Sequence, residues 1–308
     1  MSVLSMACGE RPAAAPSGPS ASTDKPAPLV ILFQRQKDPA QTRASAAEAG
    51  KFLSETLGTP VETIVPDDYG ASVQALVSER ADAAYLSSLP FLLARRDGGA
   101  RLILAEVRPD LSGVRRTSYD SVWVARSDSS VASIEDLARG AGELRLCFTS
   151  RTSTSGYVMA TLSLVRAGVL SPGQDPSAVF KSVAFGGGYS QALREVLAGR
   201  ADLAAVSAYT VEGPTADLYT TPEERTKLRV VARTADVPTH LVAVRRGLPA
   251  ETAERLTRAL LKLSAERPEL LSSVYGATEL RVVDEAEHVR PVIDAVAAVG
   301  LPIDNLAR

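Results

Sequence analysis

The chain has little of what most catalytic and metal sites are made from. Two cysteines, Cys8 and Cys147, exclude a disulfide framework. Two histidines, His240 and His288, with no HExxH and no paired CxxC, leave no zinc-ligand pattern. Charge of one sign is missing too: 34 Lys+Arg stand against 36 Asp+Glu, so no basic face awaits a phosphate backbone and no nucleic-acid partner is expected. No apolar run reaches the length of about 18 residues that a membrane-spanning helix needs. Aromatics make up only 5% of 308 residues, which makes the position of each tyrosine informative. What remains is an ordinary globular composition, 45% hydrophobic and 23% charged, long enough for two domains of about 150 residues.

The first residues divide from the rest. VLSMAC places a small residue before Cys8 and an apolar residue four before it, like the cleavage end of a bacterial lipoprotein signal, so Cys8 is the expected lipidation site. Residues 9–28 are rich in Pro, Ala, Ser and Gly without apolar periodicity and read as a flexible tether. Residues 1–28 are therefore expected to be a signal remnant and linker. Cys147, inside the apolar run LRLCF, reads as a small buried hydrophobe.

From Leu29 onward short branched apolar runs alternate with helical patterns. LVILF, PVETIV, ADAAYLSS and RLILAEV read as strands, with a helix over 43–57, a turn and short helix within DYGASVQALVSER (68–80) and a helix from Pro90 between them. A second set follows from about 119 to 235: SVWVAR, LRLCF, VFKSVAF, ADLAAVSAY and LRVVAR as strands, with helices at 134–139, 156–168 and 189–200. The chain then returns through LVAV to a helix opened by Pro249 and a last helix through Pro291, and these simplest pack on the first unit. The expectation is an α/β chain of two lobes, 29–117 plus 237–308 and 118–236. Each lobe is a mixed, mostly parallel sheet with flanking helices, and the ligand site lies in the cleft between them. An internal echo supports two equivalent lobes: residues 72–87 and 189–209 share a helix, a turn, an Ala-Asp pair and a strand.

The sharpest local signal is TSRTSTSGYVMA, between an apolar strand and a helix. Thr152, Ser153, Thr154 and Ser155 cluster where a helix leaves backbone N–H groups unpaired, and Gly156 permits close approach. This predicts an oxyanion cradle, followed by Tyr157. FGGGYSQA is a second strand-to-helix junction, bringing Gly188, Tyr189 and Ser190. It lacks the spacing and lysine of a nucleotide loop. Tyr85, Tyr119, Tyr157, Tyr189 and Tyr209 all fall at strand ends or helix starts. For an enzyme the inventory is thin: no G-x-S-x-G elbow serves a nucleophile, and no carboxylate pair is marked out. His240 reads as a hinge or surface residue and His288 as part of a solvated helix face.

In several segments together the chain resembles the substrate-binding proteins of phosphate/phosphite/phosphonate ABC transporters. These are DYGASVQALVSERADAAYLSSL, YDSVWVARSDSSVASIEDLARG, STSGYVMA and VPTHLVAVRRGLPAETAERL. The resemblance implies a periplasmic-binding-protein-like type 2 fold that closes on a small oxyanion and delivers it to a permease and ATPase. It also implies an extracytoplasmic location, in the periplasm or cell envelope, and a monomer with no cofactor and no catalytic residue. It carries ligand binding to Ser153, Thr154, Ser155 and Tyr119, with Tyr85 as a cleft aromatic. Where the family commonly has Gly-x-His-Asp, this chain has Gly187, Gly188, Tyr189 and Ser190; Ser207 and the pair Thr239 and His240 also replace usual acids or amides. Without those acids an ammonium-bearing ligand such as 2-aminoethylphosphonate is not expected. Two other readings stay open: a ligand-sensing module of a signalling system, and an enzyme acting on a small phosphorylated compound.

Overall fold

The computed structural model describes residues 27–301. Cys8 and nearly all of the tether fall outside the described residues.

Twelve strands among the described residues form two sheets. In chain order they are β1 (Leu29–Phe33), β2 (Val61–Ile64), β3 (Ala83–Leu86), β4 (Arg101–Pro109), β5 (Arg115–Arg116), β6 (Ser118–Arg126), β7 (Arg145–Phe148), β8 (Ser182–Phe185), β9 (Leu203–Ser207), β10 (Leu228–Pro238), β11 (Leu241–Val244) and β12 (Glu279–Arg281). The first sheet has the order β12-β4-β11-β3-β1-β2, with β5 against β4; the second has the order β10-β6-β9-β7-β8. In each, a parallel trio (β2-β1-β3, β8-β7-β9) is joined antiparallel by a strand that has just crossed between sheets, β11 in the first and β6 in the second.

The helices start where the sequence supplies caps. Asp38 accepts from Ala40 N at 2.9 Å to open Pro39–Leu57, which ends at Gly58 with φ 63°. Asp68 opens Tyr69–Val77, accepting from Ala71 N at 2.7 Å, and Ser133 opens Ile134–Gly140. The internal echo is structural. Asp82 and Asp202 each accept from the first amide region of a neighbouring parallel strand, at Val30 N (2.9 Å) and Arg145 N (2.8 Å). Each is also held by an arginine, Arg245 or Arg145.

One apolar cluster lies under the first sheet, around Phe33, Leu53, Leu104 and Leu256, and another on the second, around Val124, Leu193 and Val206. A third runs from Leu86, Leu89 and Phe91 to Phe148, Val158 and Leu162 and so joins the lobes. The last helix, Glu285–Val299, adds Val289, Val292 and Val296 to that joining cluster, and Gly173 N donates to its Val299 O at 2.7 Å. It therefore does not pack back on the first unit alone. Its burial also corrects the reading of His288 as solvated: the ring is 8% exposed and lies 3.1 Å from Thr239 O. Cys147 is buried in β7, and burial pushes its thiol up to about 12.

Candidate functional site

Four helices begin at the facing edges of the two sheets: Tyr69–Val77 and Ser88–Gly98 from the first, Thr154–Met159 and Tyr189–Leu197 from the second. Each presents its positive end to the cleft, and part of each first turn is already bonded, as Ala71 N is to Asp68 Oδ1 and Gly156 N to Ser153 Oγ. The walls meet directly. Leu89 N donates to Thr154 Oγ1 at 2.9 Å, and Tyr189 N to Gln36 O at 2.9 Å. The cleft is thus closed.

On the second wall Ser155 is the centre. Its Oγ lies 2.8 Å from Ser207 Oγ, 2.9 Å from Tyr189 OH and 3.5 Å from Tyr119 OH, and its carbonyl accepts from Ser121 Oγ at 2.8 Å. The segment starts as a wide turn, with Val158 N bonding Ser153 O five residues back. Such a π-type turn reorients the side chains it carries and is frequent at functional sites.

Seven of the eight tyrosines gather around this cluster. Tyr119 and Tyr209 are edge to face at 5.0 Å; Tyr189 and Tyr209 at 6.1 Å; Tyr209 and Tyr219 lie 5.6 Å apart. From the first wall come Tyr69, Tyr85 and Tyr275. Tyr85 OH donates to Glu106 Oε2 at 2.7 Å, and Glu106 Oε1 takes Arg108 Nε. Arg108 also reaches Tyr275 O and lies 3.8 Å over the Tyr209 ring. Burial pushes the Glu106 carboxyl up, against the pull of Arg108 and Tyr85. With a donor on each oxygen the carboxylate is the form these two partners hold.

Several polar atoms of this wall have no partner. They are Tyr69 OH, Gln36 Nε2 and both ring nitrogens of His240, on residues that are all 0% exposed. The Tyr69 hydroxyl stands among those of Tyr189, Tyr119, Tyr275 and Tyr219; burial and then their proximity push its ionisation well up, so it remains a donor. Buried donors left unpaired cost about 1–3 kcal/mol each, and a site tolerates them when a ligand completes them. Outside the tyrosines a cavity of about 270 Å³ is lined by both lobes, including Arg108, Tyr119, Tyr209 and Arg233. Tyr119 lines that cavity and also reaches Ser155, so its ring stands between the mouth and the hydroxyl cluster.

Of the residues expected from sequence, Tyr85, Tyr119, Ser155, Tyr189 and Ser207 come together here. The four hydroxyls of the cradle do not act as a set. Thr152 faces Ser150 at 3.3 Å, Ser153 caps Gly156 N at 3.0 Å, and Thr154 bonds the opposite lobe. Only Ser155 joins the cluster. Gly156 serves packing: a Cβ there would lie 2.2 Å from Thr149 Oγ1 and 3.0 Å from Ala205 O. Gly188 lets Gln36 O approach, 3.1 Å from where a Cβ would sit, and Ser190 bonds Tyr219 O at 2.9 Å. Tyr157 packs between Phe148 and Phe185 instead. His240 is a correction. It does follow the crossover from β10, but it is wholly buried, stacked on Tyr119 at 6.0 Å and on Tyr275 at 5.7 Å. Sequence reasoning also passed over Gln36, Tyr69, Glu106, Arg108, Tyr219 and Tyr275. The Tyr69 signal was available just before the echo at 72–87: setting Ala81-Asp82 on Ala201-Asp202 places Tyr69 on Tyr189 and Ser87 on Ser207.

Residues 31–288 match the profile of a family described as ABC transporter, phosphonate, periplasmic substrate-binding protein. The phosphate-import protein PhnD of Mycolicibacterium smegmatis is 29% identical over 170 residues, 54% of this chain and 51% of that protein. The matched stretch thus spans about half the length of that curated relative. Among solved structures, a binding protein component of an ABC phosphonate transporter from Pseudomonas aeruginosa superposes with a TM-score of 0.77 at 20% identity, covering 91% of this chain and 89% of the other. PhnD1 from Prochlorococcus marinus, in complex with methylphosphonate, gives 0.72 at 18% identity, over 87% and 97%. At these identities the two structures establish a shared fold.

Proposed function

The chain belongs to the periplasmic substrate-binding protein family of ABC phosphonate transporters, and from that premise we propose that it captures a small phosphorus oxyanion between its lobes and presents it to a permease and ATPase outside the cytoplasm. The reading covers phosphonate, phosphite or phosphate-like ligands and gives the chain no catalytic step. One observation carries it: a closed cleft lined by hydroxyls and helix N-termini, with Tyr69 OH and Gln36 Nε2 buried and unpaired. Donors without a compensating basic side chain suit a compact anion whose charge is spread over several oxygens.

Ser155, Tyr119, Tyr189, Ser207, Tyr69 and Gln36 form the grip in this reading, with Ser153 and Thr154 supporting it by capping the turn and joining the lobes. The carboxylate present in the wall, Glu106, is engaged by Arg108 and Tyr85. It is not available to an ammonium group, which disfavours 2-aminoethylphosphonate. Closure follows from ligand contacts that exist only when both walls meet.

The test is a thermal-shift series with phosphate, phosphite, methylphosphonate, 2-aminoethylphosphonate and sulfate. A ligand at a hundred times its dissociation constant stabilises the native state by about 2.7 kcal/mol, a shift of several degrees. At least one of the three small phosphorus oxyanions is expected to give it, and the aminoalkyl compound less. A flat response to all three rejects the reading.

A further inference from the structure

His240 is a buried, stacked imidazole with neither nitrogen bonded to protein, one ring away from the hydroxyl cluster. Resting on the oxyanion reading above, we propose that His240 Nε2 accepts a hydrogen bond from the P–OH of a hydrogen-bearing ligand, and so selects the singly protonated phosphorus oxyanion over sulfate and over the fully deprotonated form.

A neutral imidazole has one N–H and one lone pair. Nδ1 lies 3.8 Å from Glu106 Oε2, on the carboxylate that Arg108 and Tyr85 hold. That negative oxygen favours the proton on Nδ1, leaving the Nε2 lone pair without a partner. The groups facing the ring from every side keep it neutral. Glu106 and Arg108 come from β4, Tyr119 from the start of β6, and Tyr275 from the end of the helix Pro268–Tyr275. His288 meets the carbonyl of the adjoining Thr239. Burial, and then the charge of Arg108, hold the imidazole well below its usual range of ionisation. A neutral ring cannot contribute a positive charge to the ligand.

The hydroxyls elsewhere in the cleft can rotate to donate or accept. The lone pair of Nε2 cannot rotate away. A ligand carrying an O–H satisfies it. Sulfate, which carries no proton near neutral pH, would set its own oxygen against that lone pair and leave the nitrogen unpaired. Sites that hydrogen-bond a ligand proton reject analogues lacking it strongly, because buried polar groups then stay unsatisfied.

The experiment is calorimetry of the parent protein with phosphite, phosphate, methylphosphonate and sulfate between pH 5.5 and 8.5. Phosphorus oxyanions are expected to bind at least about a hundredfold more tightly than sulfate. Above the ligand's second ionisation their affinity should fall about tenfold per pH unit. That break should move with the ligand, appearing at lower pH for phosphite than for methylphosphonate. In His240→Phe the break should flatten and the gap to sulfate should narrow by about tenfold or more. His240→Gln, whose amide oxygen accepts, should restore part of both. A break at one pH for every ligand, or sulfate binding as tightly as phosphate, overturns the proposal even if His240→Phe does not fold. Binding of phosphite or methylphosphonate with such a ligand-independent profile sinks this inference alone. No binding of any phosphorus oxyanion sinks the oxyanion reading with it.

Discussion

The two lobes build the same device and finish it differently. In each a helix begins with a tyrosine, a turn follows, an Ala-Asp pair ties the next strand to its parallel neighbour, and a serine ends that strand or follows it directly. In the second lobe the tyrosine is Tyr189, whose hydroxyl is 2.9 Å from Ser155, and the serine is Ser207, also on Ser155. In the first lobe the tyrosine is Tyr69, whose hydroxyl bonds nothing, and the serine is Ser87, whose N and Oγ donate to Gln34 Oε1 at 2.8 and 3.4 Å. The hydroxyls around Ser155 are partnered without a guest, although Gln191 Oε1 nearby in that wall is not. The other wall holds Tyr69 OH, Gln36 Nε2 and the His240 nitrogens buried and unmatched. On the oxyanion reading proposed above, the preorganised half fixes where the anion sits, and the unsatisfied half makes closure favourable only around it.

The sharpest way to break this contrast is to disturb the finished wall. Gly156→Ala puts a methyl 2.2 Å from Thr149 Oγ1 and 2.4 Å from Thr149 Cβ, with Ala205 O at 3.0 Å. None of these is the end of a flexible chain, and Thr149 Oγ1 itself bonds Ala205 O at 2.9 Å. Overpacking of this kind costs about 3 kcal/mol. Urea unfolding should show a loss of that size. A variant as stable as the parent would mean that Gly156 is there for the ligand and that the second wall is not a packed unit.

Much of this arrangement was legible from residue order, and the parts that were not have physical reasons. The alternation of branched apolar runs with capped helices placed the strands and both lobes' helices, because caps such as Asp68 and Ser133 are local. β12 was missed: ELR has neither alternation nor an apolar run, and it is a strand only because β4 offers an edge. The last helix bridges to the second lobe because Val289, Val292 and Val296 find their apolar partners there, and no sequence period says which lobe supplies them. At the site, the hydroxyl-rich turn was visible, but the division of labour among its four hydroxyls was not. Which of them caps, which joins lobes and which meets Ser207 depends on the wide turn at Ser153. His240 was misread because its neighbours, Tyr119, Glu106 and Tyr275, come from three distant segments.

A paired substitution sharpens the same comparison at a smaller scale. Ser155→Ala leaves Tyr189 OH and Ser207 Oγ without their shared partner and should lower the stability of the unliganded protein by about 1–2 kcal/mol. Tyr69→Phe removes a hydroxyl that has no partner and should leave that stability unchanged or raise it by about 1 kcal/mol. Both should weaken binding of whichever small phosphorus oxyanion the parent takes, by about tenfold or more. Unfolding curves without ligand and calorimetry with it separate the two effects. If Tyr69→Phe loses stability as Ser155→Ala does, the first wall is as complete as the second and the asymmetry is wrong.

The mildest expectation concerns acid, and it turns on the seam between the walls. His240 and His288 are both held below the usual 6.5 chiefly by burial, for His240 with help from Arg108 and for His288 against a hydrogen bond to Thr239 O. In the unfolded chain each takes up a proton as pH falls through its ordinary range, while the native state resists. Their contribution is therefore complete above pH 6.5 and is lost progressively below it, down towards the depressed native values. Glu106, pushed up by burial, works in the opposite sense, so the net slope alone does not identify the histidines. His288→Gln does. Its ring is outside the hydroxyl cluster, and removing it should flatten the loss of unliganded stability between pH 6.5 and 5.5 by up to about 1 kcal/mol. Equal slopes in parent and variant, measured by urea unfolding across that window, would mean that His288 titrates normally and that the seam is open to water.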